Sequence, residues 1–198
     1  MKTSDPDAAP GLRERKKVLT RTMLSSAALR LAMERGIANV RVEDIAAEAG
    51  MSARTFNNYF PSKEAAIVSV AALRADHFCA ALRARPADEE LHDALTAAVL
   101  DLFAEEPDRE WIARSQLIRD EPTLLAEERK SDAQIEATIA AEIADRTNLD
   151  PTADLRPRLA AALVVSCIHT AIRYWLDIPT AGTLHQTLTA AMAQFQLP

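Results

Sequence analysis

The stretch from Val42 to Lys63, VEDIAAEAGMSARTFNNYFPSK, constrains what this chain can fold into more than any other. Asp44 to Ala49 places Ile45, Ala46 and Ala49 at three- and four-residue spacing, which predicts a short helix. Gly50 ends it, because glycine enters the left-handed conformation at a helix end at little cost. Ser52 is then placed to cap a second helix, Ala53 to Tyr59, by accepting a backbone N–H that has no partner within the helix. Along that helix Phe56 and Phe60, at i and i+4, form one narrow apolar edge. Arg54, Thr55, Asn57, Asn58 and Tyr59 crowd the rest with hydrogen-bonding groups. Two short helices about a glycine turn form a helix-turn-helix, the unit that lays its second helix in the DNA major groove. A plain corner between packed helices would use the same Gly and Ser; the polar density of the second helix argues for the reading of bases.

The flanking sequence agrees. Residues 1–12, MKTSDPDAAPGL, are short on large apolar side chains and carry Pro6, Pro10 and Gly11, which predicts a flexible N-terminal arm. Arg13, Arg15, Lys16 and Lys17 follow. Such runs are usually solvated, but beside a helix-turn-helix they suit phosphate or minor-groove contacts. Met23, Leu24, Ala27, Ala28 and Leu31 then mark the buried face of a supporting helix that Gly36 stops. Net charge over the whole chain is −6, which argues against a general nucleic-acid coat. Its distribution is uneven: residues 1–67 hold 11 basic and 8 acidic side chains, the remainder 12 and 21. The positive end is the helix-turn-helix end, as a protein touching DNA on one face requires.

Residues 20–64, TRTMLSSAALRLAMERGIANVRVEDIAAEAGMSARTFNNYFPSKE, resemble the DNA-binding domain of the TetR family of transcriptional regulators. The likeness rests on an amphipathic helix ending in Glu-Arg-Gly, on Asp-Ile-Ala, on Ala-Gly-x-Ser, and on Thr-Phe-x-x-Tyr-Phe-Pro-Ser-Lys-Glu. It implies an all-α homodimer with no cofactor. A three-helix DNA-binding domain with the helix-turn-helix would occupy residues 13–62, and a larger helical ligand-binding and dimerisation domain residues 63–198. The implied partners are a double-stranded operator and a small-molecule effector, and the implied place of action is the cytoplasm. Phosphate contacts would fall to Arg13, Arg15, Lys16, Lys17, Arg41, Tyr59 and Lys63, and base contacts to Arg54, Thr55, Asn57 and Asn58, with Ser52 at the start of the same helix also expected at the DNA. Two positions depart from the family pattern. Arg41 stands where a capping Thr is usual, and a guanidinium cannot accept the helix N–H bonds. Asn57 and Asn58 stand where aromatic residues are common, and Asn can pair with adenine N6 and N7.

Beyond the reading unit, Ser62 is expected to cap a helix from Lys63 to about Arg85, ended by Pro86. Further helices are expected over 88–105, 109–119, 122–147, 154–177 and 181–196, with Asp154 as one candidate cap. The segment Leu159 to Trp175 is apolar on nearly every side, so it must be buried all round. The last helix carries a stripe of Leu184, Leu188, Met192 and Phe195. Paired with Leu163, Cys167 and Ala171 of the helix before it, that stripe is a candidate dimer interface; the alternative is that it completes the core of a single chain. Candidate effector contacts are Phe78, Phe103, Trp111, Arg114, Gln116, Arg119, His169, Arg173 and Trp175. Arginines turned inward among them would favour an anionic ligand.

Catalysis is not expected. The chain has four glycines, no phosphate loop, no nucleophile elbow and no His-Glu-x-x-His pair. Its four histidines share no ligand spacing, and Cys79 and Cys167 fit no metal or redox motif, which predicts reduced thiols and no metal. The longest apolar run falls short of the roughly 20 residues a bilayer span needs, so no membrane partner is expected. The reading is of a ligand-responsive repressor that binds a palindromic operator as a homodimer. An architectural or effector-independent helical DNA-binding dimer is the alternative.

Overall fold

The computed structural model describes residues 12–178 and 180–194, with side chains except those of 12–14 and 70–73. The N-terminal arm before Leu12, the Arg13 side chain and Phe195 therefore lie outside the described residues. Every element among them is helical, and the chain divides into two compact units, one running through Val70 and the other from Ala71.

In the first unit, α1 (Leu12–Arg35) buries Leu24, Ala27, Ala28, Leu31 and Ala32 along one face, while Met23, expected there, is exposed. Gly36 ends α1 at φ 74°, and a 3₁₀ turn, Ile37–Asn39, follows. The Asn39 amide returns to the Arg35 carbonyl at 2.7 Å and satisfies one of the carbonyls a helix end leaves open. Helix α2 (Val42–Glu48) starts without a side-chain acceptor at Arg41. Instead Asp44 reaches back to accept the Arg41 N–H at 3.1 Å, half of a capping box. The Arg30–Glu48 ion pair holds α2 to α1.

The turn after α2 is a Schellman motif. The Met51 N–H donates to the Ala46 carbonyl at 2.7 Å and the Gly50 N–H to that of Ala47 at 3.0 Å, with Gly50 at φ 68°. Helices α3 (Ala53–Tyr59) and α4 (Lys63–Val68) begin on Ser52 and Ser62, whose hydroxyls accept from Thr55 N–H at 3.1 Å and Ala65 N–H at 3.0 Å. Phe56 and Phe60 are fully buried, their rings 5.6 Å apart, and Ile45 and Ala46 of α2 are buried too.

The continuous helix expected from Lys63 to Arg85 is instead broken at Ser69 into α4 and α5 (Val70–Ala84). The Ser69 hydroxyl donates to the Ala66 carbonyl at 2.9 Å, and Ser25 donates to the same carbonyl at 2.7 Å. Serine bonding back onto its own helix loosens it there. Because α4 packs against α1, the division between units falls after Val70 rather than after Ser62.

The second unit holds α5 with α6 (Leu91–Leu102), α7 (Arg109–Asp120), α8 (Pro122–Thr147), α9 (Arg156–Asp177) and α10 (Leu184–Ala193). The expected positions hold, but α6 and α10 are shorter at both ends. Asp108 caps α7 by accepting the Trp111 N–H at 2.7 Å, Pro122 opens α8, and Thr183 with Gln186 forms a capping box on α10. Asp154 does accept the Arg156 N–H at 2.9 Å, although α9 begins one residue after Leu155. The Arg146 guanidinium reaches the carbonyls of Leu82, Arg85, Pro86 and Glu89, gathering the open carbonyls at the end of α5. The core gathers Phe78, Leu82, Leu95, Val99, Ile139, Ile143 and Val164 with Leu184 and Leu188.

Candidate nucleic-acid interface and aromatic cluster

Helix α3 is anchored on one side and open on the other. Phe56 has no exposed surface, whereas Arg54, Asn57 and Asn58, at i, i+3 and i+4, are all exposed and share the opposite flank. Thr55 is half-buried with its hydroxyl 2.9 Å from that of Ser52, so these two side chains order the first turn as well as standing beside the flank. Arg21 of α1 closes the far end: it donates to the Tyr59 carbonyl at 3.4 Å and stacks over Phe60 at 4.6 Å from the ring centroid. That stack holds a cation beside the end of α3 where backbone carbonyls are unpaired. Sequence reading missed Arg21, whose distance of 38 residues from Tyr59 hides the contact.

The expected phosphate contacts separate. Arg15, Lys16, Lys17 and Arg41 are exposed, and Tyr59 is half-buried. Lys63 differs from these. Its ammonium turns into the fold and donates to the carbonyls of Ile37 at 2.6 Å and Val40 at 2.8 Å. It braces the helix-turn-helix from behind.

In the second unit four of the expected effector contacts come together. Phe103 meets Trp111 edge-on with centroids 6.4 Å apart, Trp111 meets Trp175 at 6.3 Å, and Arg114 sits one turn along α7 from Trp111. Arg74 of α5, which sequence reading did not single out, joins them. The other candidates do not converge there. Phe78 is enclosed in the core, Gln116 and Arg173 are exposed, and Arg119 is held by Asp120 at 2.7 Å and Asp177 at 2.8 Å. His169 lies 3.6 Å from Asp132, in a separate cluster between α8 and α9. A cavity of about 170 Å³ lies elsewhere again, between Leu91, Ile143, Pro157 and Ala160.

The proposed interface stripe needs correction too. Leu184, Leu188, Met192 and Ala171 are buried inside the single chain at 0–2% exposure, so they have no surface left for a second copy. Their apolar spacing reports the fit of α10 against α6 and α9. Leu163 and Cys167 are half-buried. The flank of α9 left open carries Leu159, Ser166, Thr170 and Tyr174, with Leu159 42% and Tyr174 54% exposed.

Among the described residues no group of three or more His, Cys, Asp or Glu is arranged to hold a metal ion. His77 pairs with Asp101 at 3.1 Å on the surface while Cys79 is buried, two residues apart and on different sides of α5.

Comparison with known proteins agrees with this geometry at both ends of the chain. Residues 24–69 match the family described as bacterial regulatory proteins, tetR family, and residues 89–197 match the MftR C-terminal domain. The HTH-type transcriptional regulator TcmR of Streptomyces glaucescens is 32% identical over 174 residues, covering 84% of this chain and 77% of that protein. A TetR-family transcriptional regulator from Syntrophomonas wolfei superposes with a TM-score of 0.62 at 16% identity, over 89% of this chain and 93% of that one. The fatty acid degradation regulator FadR from Bacillus halodurans does so with a TM-score of 0.54 at 17% identity, over 97% and 95%. At such identities the two structures speak to the fold.

Proposed function

The chain belongs to the TetR family of bacterial transcriptional regulators, and from that premise we propose that it is a repressor that holds a palindromic operator as a homodimer and leaves it when a small-molecule effector binds. As a transcriptional regulator it is not an enzyme.

The observation that carries the proposal is the polar flank of α3, with Arg54, Asn57 and Asn58 exposed opposite a buried Phe56. Those three side chains read base edges, and Arg15, Lys16, Lys17 and Arg41 contact phosphates, which set position without reading sequence. One such helix makes too few contacts for a specific site, so two copies on adjacent half-sites are needed. The second copy packs on the open flank of α9. That helix is long and apolar enough to cross a membrane by length and composition alone, yet only 28% of its most apolar window is buried within the chain. A second copy covering it accounts for that apolar surface without invoking a bilayer. The effector acts by linkage, binding better to the conformation in which the two reading helices do not match adjacent grooves.

Of the places an effector could occupy, the cavity beside α9 holds about 170 Å³, below the roughly 300 Å³ at which ligand pockets begin. The aromatic cluster about Trp111 is the competing effector site.

Gel shifts on palindromic DNA from the chain's own upstream region, run at several salt concentrations, test the proposal. Asn57→Ala is expected to relax base preference, and Arg41→Ala to weaken all sequences alike and reduce the salt slope by about one. Binding with no preference among sequences at any salt would remove the operator from the account.

A further inference from the structure

Arg74 extends its guanidinium over two rings at once, 5.2 Å from the Phe103 centroid and 5.3 Å from that of Trp111. Arg114 is the charged group that acts on it, and the two cations repel. Burial, followed by that repulsion, pushes Arg74 down to about 10, and no carboxylate among the described residues counters either effect. Burial lowers Arg114 as well; Glu110 and Asp108, both from its own stretch of chain, pull it back in part. Asp108 is already engaged in accepting the Trp111 N–H.

Two partly dehydrated cations that repel each other cost free energy unless an anion relieves them. Stacking on aromatic faces offsets part of that cost for Arg74, but it uses the guanidinium face and leaves the N–H edge free to donate. A carboxylate matches that edge with two parallel hydrogen bonds. The side chains against Arg74 are aromatic: Phe103 and Trp111, both buried, and, against Trp111, the half-buried Trp175, whose indole N–H donates at 3.0 Å to the Gly182 carbonyl.

We propose that Arg74 and Arg114 together bind the carboxylate of an aromatic acid, whose rings rest against Phe103, Trp111 and Trp175. This rests on the effector reading above and names the chemistry of its ligand. A neutral aromatic compound would leave the two cations unrelieved, so charge is what the site selects.

Calorimetric titration of the full chain with 2-naphthoate and with 2-naphthamide separates charge from shape. The acid is expected to bind at least about tenfold more tightly than the amide. Arg74→Gln and Arg114→Gln should each remove that difference, and Arg74→Lys should keep part of it. If Arg74→Gln loses its helical circular dichroism, Arg114→Gln carries the test alone. Equal binding of acid and amide, preference for the acid that survives Arg114→Gln, or no binding of either compound overturns the proposal. Operator gel shifts with the same two compounds keep the two readings apart. Amide that binds as well as acid and releases DNA preserves effector control and sinks the anion site. Acid that binds through the two arginines without releasing DNA preserves the anion site and sinks effector control.

Discussion

Lys63 Nζ donates to the carbonyl oxygen of Ile37 at 2.6 Å. The Val40 carbonyl accepts from it too, at 2.8 Å, so one ammonium from the first turn of α4 holds both ends of the segment that delivers the chain into α2. Replacing Lys63 with Met leaves those carbonyls without their charged donor and should destabilise the N-terminal unit by about 1.5–3 kcal/mol in urea unfolding. Because the ammonium faces inward, the dependence of operator affinity on salt should hardly change. A slope reduced by about one, with stability intact, would instead return Lys63 to the phosphate.

What could be read in the sequence was what local chemistry decides. Gly50, Ser52 and Ser62 act within three or four residues of themselves, and each does in the structure what its side chain dictates. The polar and apolar edges of Ala53 to Tyr59 were legible for the same reason. The contacts of Lys63 and Arg74 were hidden because their partners lie 23 and more residues away, and a charged residue in a sequence does not say which way it will turn. The stripe Leu184, Leu188, Met192 shows a third limit: apolar spacing reveals that a face is covered, and only packing shows that α6 and α9 of the same chain cover it.

Gly50 offers a test of backbone conformation free of crowding. Its φ is 68°, and a Cβ added there would meet nothing within 4 Å. Gly50→Ala should therefore cost about 1 kcal/mol through the left-handed conformation alone. Gly50→Asn, which tolerates that conformation better, should cost less. Comparable losses for both in urea unfolding would mean that steric contact matters after all.

The two sides of the α9–α10 pair should respond differently to substitution. Leu188 has no exposed surface, so Leu188→Ala should lower unfolding stability by about 2–5 kcal/mol. Tyr174 is 54% exposed on the open flank of α9. Tyr174→Glu should leave helical circular dichroism unchanged while shifting sedimentation toward the monomer at low protein concentration. A Tyr174→Glu chain that sediments as the wild type does would move the dimer contact off this flank.

Asp132 gives the second unit a pH dependence of unusual sign. It is 8% exposed, its Oδ1 has no hydrogen-bond partner, and its Oδ2 lies 3.6 Å from His169 Nδ1. Burial raises its carboxyl above the ordinary 3.8, against the pull of His169 and Arg129. Glu128, one turn earlier on α8, is raised by burial and by Asp132 against His169, Arg129 and Arg173. A raised carboxyl means that the folded chain holds more protons than the unfolded chain between the unfolded and folded values. Stability contributed by these groups is therefore greatest at low pH and falls as pH climbs from about 4 through the raised values. Asp132→Asn removes the charge that must be buried above that window. Its urea midpoint at pH 7 to 8 should lie above that of the wild type, and the decline from pH 4 upward should be shallower. A lower midpoint at pH 8 would show that ionised Asp132 is held by His169 as a stabilising pair, with the Coulombic attraction outweighing the desolvation of the carboxylate.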